Sequence, residues 1–327
     1  MWPGVPNGGS RVRKINRKSL ISSLLFVVLI GLLVWYLYAN RADLAQLLTL
    51  NASTVCWMLV LALGACVMNG LYHKLILDTY HLPLDTVDWL GVVFVANAMA
   101  YVLPMRADLI FTATYYKRTK NFSYTKSASV AAGNIVFSIL FALVQMGAAL
   151  VCTGLIEGVW PGLLWLILLV GVVGTAAFLI IAGWFGDRMP AFLAKIPYLQ
   201  KIVQGFNELI RNKQLLVKLL LCLIVNNILH LLLYMACFRS IGMEVTLYQA
   251  LFYNSVSRMV SLVAIVPGNI GIAQGVMGVA GSLMGDVFQQ GVMVSLLQSV
   301  ALMAVYIVAG GGFAYPVWKR YTQKGKK

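Results

Sequence analysis

Six stretches of this chain are apolar over about twenty residues with little charge: 20–40, 54–77, 128–153, 161–183, 215–238 and 292–316. A helix of that length covers the hydrocarbon core of a bilayer, roughly 30 Å at about 1.5 Å per residue. In lipid every backbone N–H and C=O must find its partner within the protein, so the runs must be helical. Nothing between them is both long and polar enough for a separate soluble domain. The longest connection, 184–214, is mixed and reads as an amphipathic connector or surface helix. Charged residues make up 11% of the 327 positions, far below the roughly 25% of soluble domains. The expectation is an all-α polytopic membrane protein, one transmembrane domain over 1–327.

Two further apolar regions are interrupted. Region 87–118 is broken at Pro104-Met105-Arg106-Ala107-Asp108, and region 246–285 at Pro267-Gly268-Asn269-Ile270-Gly271. Charge decides how to thread them. Four clusters, at 11–18, 117–126, 188–218 and 319–327, hold 20 of the 25 Lys and Arg residues, while loops 41–53, 154–160 and 239–245 hold only Arg41 and Arg239. Basic loops stay on the cytoplasmic side, so the four clusters are expected inside and the three loops outside. The formal charge of +15 is then topology and attraction to anionic headgroups, and no nucleic-acid partner is expected. The basic tail 1–19 precedes an apolar run too long for a signal-peptide core, so that run is expected to remain as a membrane helix.

This threading puts 78–88 and 117–126 on one side, so 87–118 must enter and return as a re-entrant hairpin. By the same logic 246–285 enters from the opposite face. The first half-repeat (20–153) and the second (161–316) then share an order: two spans, a hairpin, a span. They are inverted relative to each other, with basic cytoplasmic tails at 1–19 and 317–327. Inverted repeats with broken helices meeting near the midplane characterise transporters. The alternative is eight transmembrane helices, two of them kinked by proline.

Irregular backbone at membrane depth survives only beside protein or a water-filled cavity, so both breaks are expected to line one. Each is followed by a short helix whose N-terminus favours an anion. Ionisable groups in a membrane are functional candidates. Candidate substrate-binding residues are therefore Arg106, Asp108, Arg258, Asn269 and Gln274. Asn134 and Gln298 join them because they follow Pro104 and Pro267 by 30 and 31 residues. Pro104, Pro267, Gly268 and Gly271 are the expected hinges. Arg258 lies nine residues before Pro267, roughly 13 Å along a helix, and could reach the cavity or snorkel outward. A local Arg106–Asp108 pair, or Asp108 as a helix cap, is the plainer role for those two. Gly271, Gly275, Gly278, Ser282 and Gly285 share one helical face and read as a packing stripe. Asn69, Gln145, Asn226, Asn227 and His230 are expected to hydrogen-bond between helices. Asp78, Asp85 and Asp88 read as a solvated acidic loop. The five cysteines form no C-x-x-C pair and the three histidines have no metal-ligand spacing. No catalytic motif, cofactor or metal site is expected.

Leu103-Pro104-Met105-Arg106-Ala107-Asp108-Leu109 resembles the proline–arginine–acid turn of the lysylphosphatidylglycerol synthase transmembrane-region family, also described as flippase-like. Val266-Pro267-Gly268-Asn269-Ile270-Gly271-Ile272-Ala273-Gln274-Gly275 resembles that family's Pro-Gly-Gly-Leu-Gly-Val-Arg-Glu-Gly turn, and the likeness runs over about 20–316. Asn269 stands for a glycine, Ala273-Gln274 for Arg-Glu, and Gly133-Asn134 for a frequent Glu-Arg pair. The first motif lacks the usual glycine before its acid. The resemblance implies movement of lipids or lipid-linked headgroups between leaflets; with the anion-favouring helix ends and Arg106, the expected cargo is a phosphate-bearing lipid, such as a polyprenyl phosphate, in a bacterial inner membrane. The soluble synthase part of some relatives is not seen, so no enzyme activity is expected. The rival is a non-catalytic membrane partner of a glycosyltransferase or lipid-modifying enzyme.

Overall fold

The computed structural model describes residues 50–103, 106–184, 212–263 and 266–323. The expected span at 20–40, Pro104, most of the 184–214 connector and both tail extremities lie outside these residues. The described chain is helix and loop throughout, with no strand.

Among the described residues, five helices are long and apolar enough to cross a membrane. They are α1 (Ala52–Asp78), α4 (Tyr124–Glu157), α5 (Gly162–Trp184), α6 (Lys213–Ser240) and α9 (Phe288–Gln323). All coincide with expected spans. The protein is a multi-pass membrane protein. Side-chain oxygens mark several starts: Asn51 accepts from the Ser53 N–H, Ser123 from Lys126 and Asn212 from Leu215. Each satisfies one of the free amides of a first turn. In α5 only 11% of the apolar window is buried. Leu166, Val170 and Val173 on its outer surface are exposed, an arrangement that requires an apolar surrounding.

The two interrupted regions are each two short helices. The first comprises a π-helical turn (Val87–Gly91) leading into α2 (Val92–Val102), then α3 (Ala107–Lys120). The second comprises α7 (Leu247–Leu262), a 3-10 turn (Pro267–Asn269) and α8 (Ile272–Leu283). None reaches the roughly 20 residues needed to cross alone. In each pair the two arms pack on each other: α2 on α3, and α7 on α8.

Helix packing relates the halves. Exchanging α1 with α6, α2 with α7, α3 with α8 and α4 with α9 turns the α2–α9 interface into the α7–α4 interface. The α1–α6 interface maps onto itself. These two interfaces fit the expected inverted repeat, whereas α1–α9 packing has no equally close α6–α4 counterpart. The hairpin mouths lie at opposite ends of the molecule. At the start of α4, Lys126 lies over Tyr80, and nearby Lys120 pairs with Asp88 at 2.5 Å. At the far end of α4, Glu157 accepts from Tyr248, at the start of α7, at 2.5 Å. The 34 residues of α4 separate these ends by about 51 Å.

The first mouth corrects one expectation. Asp88 is not in a solvated loop but is 1% exposed. Its carboxylate accepts from Tyr115 at 2.8 Å and pairs with Lys120 and, at 3.2 Å, Arg320. Tyr116 donates to its carbonyl at 2.8 Å. Arg320 also reaches Asp85 at 2.6 Å, and Arg118 stacks over Tyr321. Burial works against the Asp85 charge, yet the hydrogen bond from Arg320 prevails and holds its pKa down. The basic segments 117–126 and 319–323 thus meet at one end, where charge counting puts them.

Candidate functional site

The two breaks converge. Arg106, immediately after the first, donates through Nη1 to the Ser261 carbonyl, just before the second, at 3.3 Å. A Cβ on Gly268 would sit 2.6 Å from the ring of Tyr101 in α2. Only glycine lets these chains approach so closely. Between them lies a cavity of about 370 Å³, walled by α1, α2, α3, α4, α6, α7 and α9, with Ala273 at the start of α8.

The backbone at the breaks is unusual. Arg106 (φ 56°) and Asn269 (φ 56°) are both left-handed, as are Gly268 (φ 59°) and Gly271 (φ 89°). Asparagine tolerates this region better than most residues, which accounts for Asn269 in place of a glycine. Arginine does not, at a cost of about 1–3 kcal/mol. Pro267 is buried at the first position of the 3-10 turn, where a missing N–H is harmless.

Of the expected site residues, Arg106, Asp108, Arg258, Asn134, Asn269 and Gln298 line the cavity. Arg106 also contacts Asp108, with Nη2 at 3.5 Å from the carboxylate. Arg106 itself occupies the cap position of α3, and no side chain caps that end, so Asp108 is not the cap. Arg258 reaches the cavity from α7. It donates to Asn226 Oδ1 at 3.0 Å and lies 5.9 Å from the Phe141 ring centre. The Nε atoms of both arginines are buried without a partner, as is Asn269 Oδ1. Asn269 Nδ2 donates to the Val260 carbonyl at 2.7 Å, tying the turn to α7. Gln298 accepts from Tyr234 at 2.6 Å.

Gln274 does not line the cavity. It is 1% exposed, and its side-chain oxygen accepts from the Gly271 N–H at 2.7 Å. It occupies one of the amides at the N-terminus of α8. Its Nε2 lies 3.3 Å from Ser299 Oγ. The neighbouring Ala273 faces the cavity instead.

Other polar residues divide between seams and cavity. Asn226 donates to the Ala65 carbonyl at 2.9 Å and Asn254 to Asn227 at 2.6 Å, bonds between helices as expected. Asn69 lies 3.4 Å from Tyr306 Oη. His230 is on the cavity wall rather than in a seam. Gln145 is buried with both amide atoms unpartnered. Nothing in the structure explains that. Tyr72, His73, Asn97, Tyr101 and Ser257 are lining residues that sequence reasoning missed. Asn97 and Ser257 occur on faces that only the two-break geometry singles out. The glycine stripe on α8 also divides. Gly278 packs against Phe288, whereas Gly275 and Gly285 face open space.

A family model described as lysylphosphatidylglycerol synthase TM region matches residues 20–310. The chain belongs to that family. The match covers both halves, both breaks and every cavity-lining residue named above. No curated protein and no solved structure matches the chain.

Proposed function

We propose that this member of the lysylphosphatidylglycerol synthase transmembrane-region family is a translocase for a phosphate-bearing lipid. The observation that carries the reading is the pair of arginines. Arg106 and Arg258 come from different hairpins to one cavity, where Asp108 is the one carboxylate among the described lining residues, and each keeps a buried Nε unpartnered. A buried unpaired donor costs about 1–3 kcal/mol, and a phosphate oxygen would remove that cost. Arginine matches phosphate geometry, since its planar fork presents several donors at once. The uncapped start of α3 adds a positive dipole end beside Arg106.

In this mechanism both hairpins are re-entrant, one from each membrane face, and their tips divide the bilayer at mid-depth. The basic ends are cytoplasmic, as charge bias requires. The headgroup passes from one face to the other across the arginines while its chains stay in hydrocarbon. No covalent chemistry is assigned to the site, so the protein is read as a transporter rather than an enzyme. A scaffold for a partner enzyme would have no need of two arginines and an uncapped helix end in its core.

Reconstitution into liposomes tests this. The Arg106→Ala variant is expected to move a fluorescent phosphate-headed lipid at least tenfold more slowly than the parent chain. An unchanged rate would remove Arg106 from the mechanism. Topology has a separate test: single cysteines at Asn121 and Asp286 should be labelled from opposite sides of the membrane, and labelling of both from one side would sink the two-hairpin arrangement.

A further inference from the structure

We propose that the groove between α3 and α4 is a binding site for one hydrocarbon chain of the translocated lipid. The inference rests on the translocase reading and names where the lipid's tail lies while its phosphate is on the arginines.

The groove encloses about 480 Å³. Leu109 and Ala113 line it from α3, and Ala128, Ala131, Ala132 and Ile135 from α4. The three alanines fall on the groove side of α4 beside the larger Val130 and Ile135, and their short side chains leave a channel next to α3. The polar groups along it are largely turned away. Thr114 Oγ1 donates to the Ile110 carbonyl at 2.7 Å, and Tyr116 Oη to the Asp88 carbonyl at 2.8 Å. The remaining polar groups include His73 and Thr112, where the groove meets the cavity, and Tyr124 and the buried hydroxyl of Ser127 near the start of α4.

The groove is not an isolated apolar face. It shares His73, Leu109, Thr112 and Ile135 with the cavity that holds Arg106 and Arg258. A charged polar chamber therefore opens directly into an apolar channel, which is the shape of an amphiphile. Length agrees. From Tyr124 to Ile135 the α4 wall rises about 16 Å, close to one leaflet of a core roughly 30 Å thick. A lipid whose phosphate has reached mid-depth can no longer hang its chain straight towards the midplane. The chain must turn sideways, and the groove takes it at the junction.

The corresponding seam of the other half offers no such place. A Cβ on Gly291 of α9 would collide with the Met277 carbonyl oxygen and come within 3.0 Å of Gly278 Cα. There the helices touch backbone to backbone. The chain therefore leaves by the α3–α4 side.

Photocrosslinking tests the site. The full chain is placed in phosphatidylcholine vesicles with a trace of phosphatidylglycerol bearing a diazirine on one acyl chain, or of diacylglycerol bearing the same chain. Adducts in 109–135 are counted relative to adducts in Gly162–Ile180, whose outward face reports casual lipid contact. The phosphate-headed probe is expected to give a ratio at least threefold above the diacylglycerol probe. Filling the groove by Ala131→Trp, or more gently by Ala128→Leu, should return the ratio to the diacylglycerol level, as should Arg106→Gln with Arg258→Gln. If the arginine variant lowers the ratio but both groove variants leave it unchanged, the headgroup site stands and the groove assignment is wrong. If the two probes label the groove equally, or the arginine variant has no effect, the headgroup reading itself fails and the proposal falls with it.

Discussion

The second arms of the two hairpins, α3 and α8, hold matching places in the chain order of the two halves, yet they are held in different ways. In the second half, α8 lies along α9 with Gly278 and Gly291 at the crossing, so that side is closed by backbone contact. In the first half, α3 stands off α4 across an apolar groove and is fastened at its base, where Asp88 gathers Tyr115, Lys120 and Arg320. Small residues let membrane helices approach closely because packing, not hydrophobicity, drives their association. An ion cluster instead fixes an arm at its base and asks for no close contact along its length. One fold thus carries one sealed and one open seam around a shared cavity.

The largest effect should come from releasing the anchored arm. Asp88→Ala leaves Lys120, which is 14% exposed, without its counter-ion. Removing one partner of a buried pair costs about 3–5 kcal/mol. The variant should unfold at markedly lower denaturant concentration in detergent, and protease should cut within 103–126 before it cuts elsewhere. Equal stability would mean that α3 is held by something other than its base. Next comes the sealed seam. Gly291→Leu forces a branched side chain against the Met277 backbone, and overpacking of that kind costs about 1–3 kcal/mol. Lateral access should now appear at α8–α9, read as new diazirine adducts in 272–295. A variant as stable as the parent with no new adducts would show that the seam has slack.

The anchor and the seam differ in how far the sequence discloses them. The five described spans, the two breaks and their convergence were legible, because twenty-residue apolar runs, intramembrane prolines and loop charge are local signals. Six of the seven expected binding residues line the cavity for the same reason: polar groups near a break in lipid have few other places to go. Asp88 was not legible. Its aspartate spacing reads as loop, and its partners lie far along the chain, Tyr115 at 27 positions and Arg320 at 232. Gln274 was misread because a glutamine three positions into a helix can turn back on the preceding amide, and only the fold shows that it does. The glycine stripe was half legible, since spacing names a face but not what lies against it. Tyr72 and Tyr101 gave no signal, because tyrosine in a membrane helix reads first as an interface anchor or as packing.

Smaller effects separate local capping from function. Gln274→Ala frees the Gly271 amide and removes a cap, a loss of about 1 kcal/mol, seen as a modest fall in stability. Arg106→Gly removes the left-handed strain together with the charge. It should be as stable as the parent or more so, while lipid movement is lost. Reduced stability would show that Arg106 is retained for structure and not for the cavity.

The smallest expected effect is the most informative about the comparison. Ala131→Leu adds three carbons to α4 on the groove side. At Gly291 the same side chain meets backbone; at Ala131 it points into the groove between α3 and α4. Leucine and alanine differ little in helix propensity, and the added side chain leaves lipid or water for a protein wall of the same polarity. Stability should therefore change by less than about 0.5 kcal/mol, within the range of surface substitutions. Transport should nevertheless slow, because the added volume lies where the lipid chain has to pass. A stable variant with slowed transport fits a groove kept empty for a ligand. A destabilised one would mean that α3 and α4 close on each other for part of the time, and that the first seam alternates with the second.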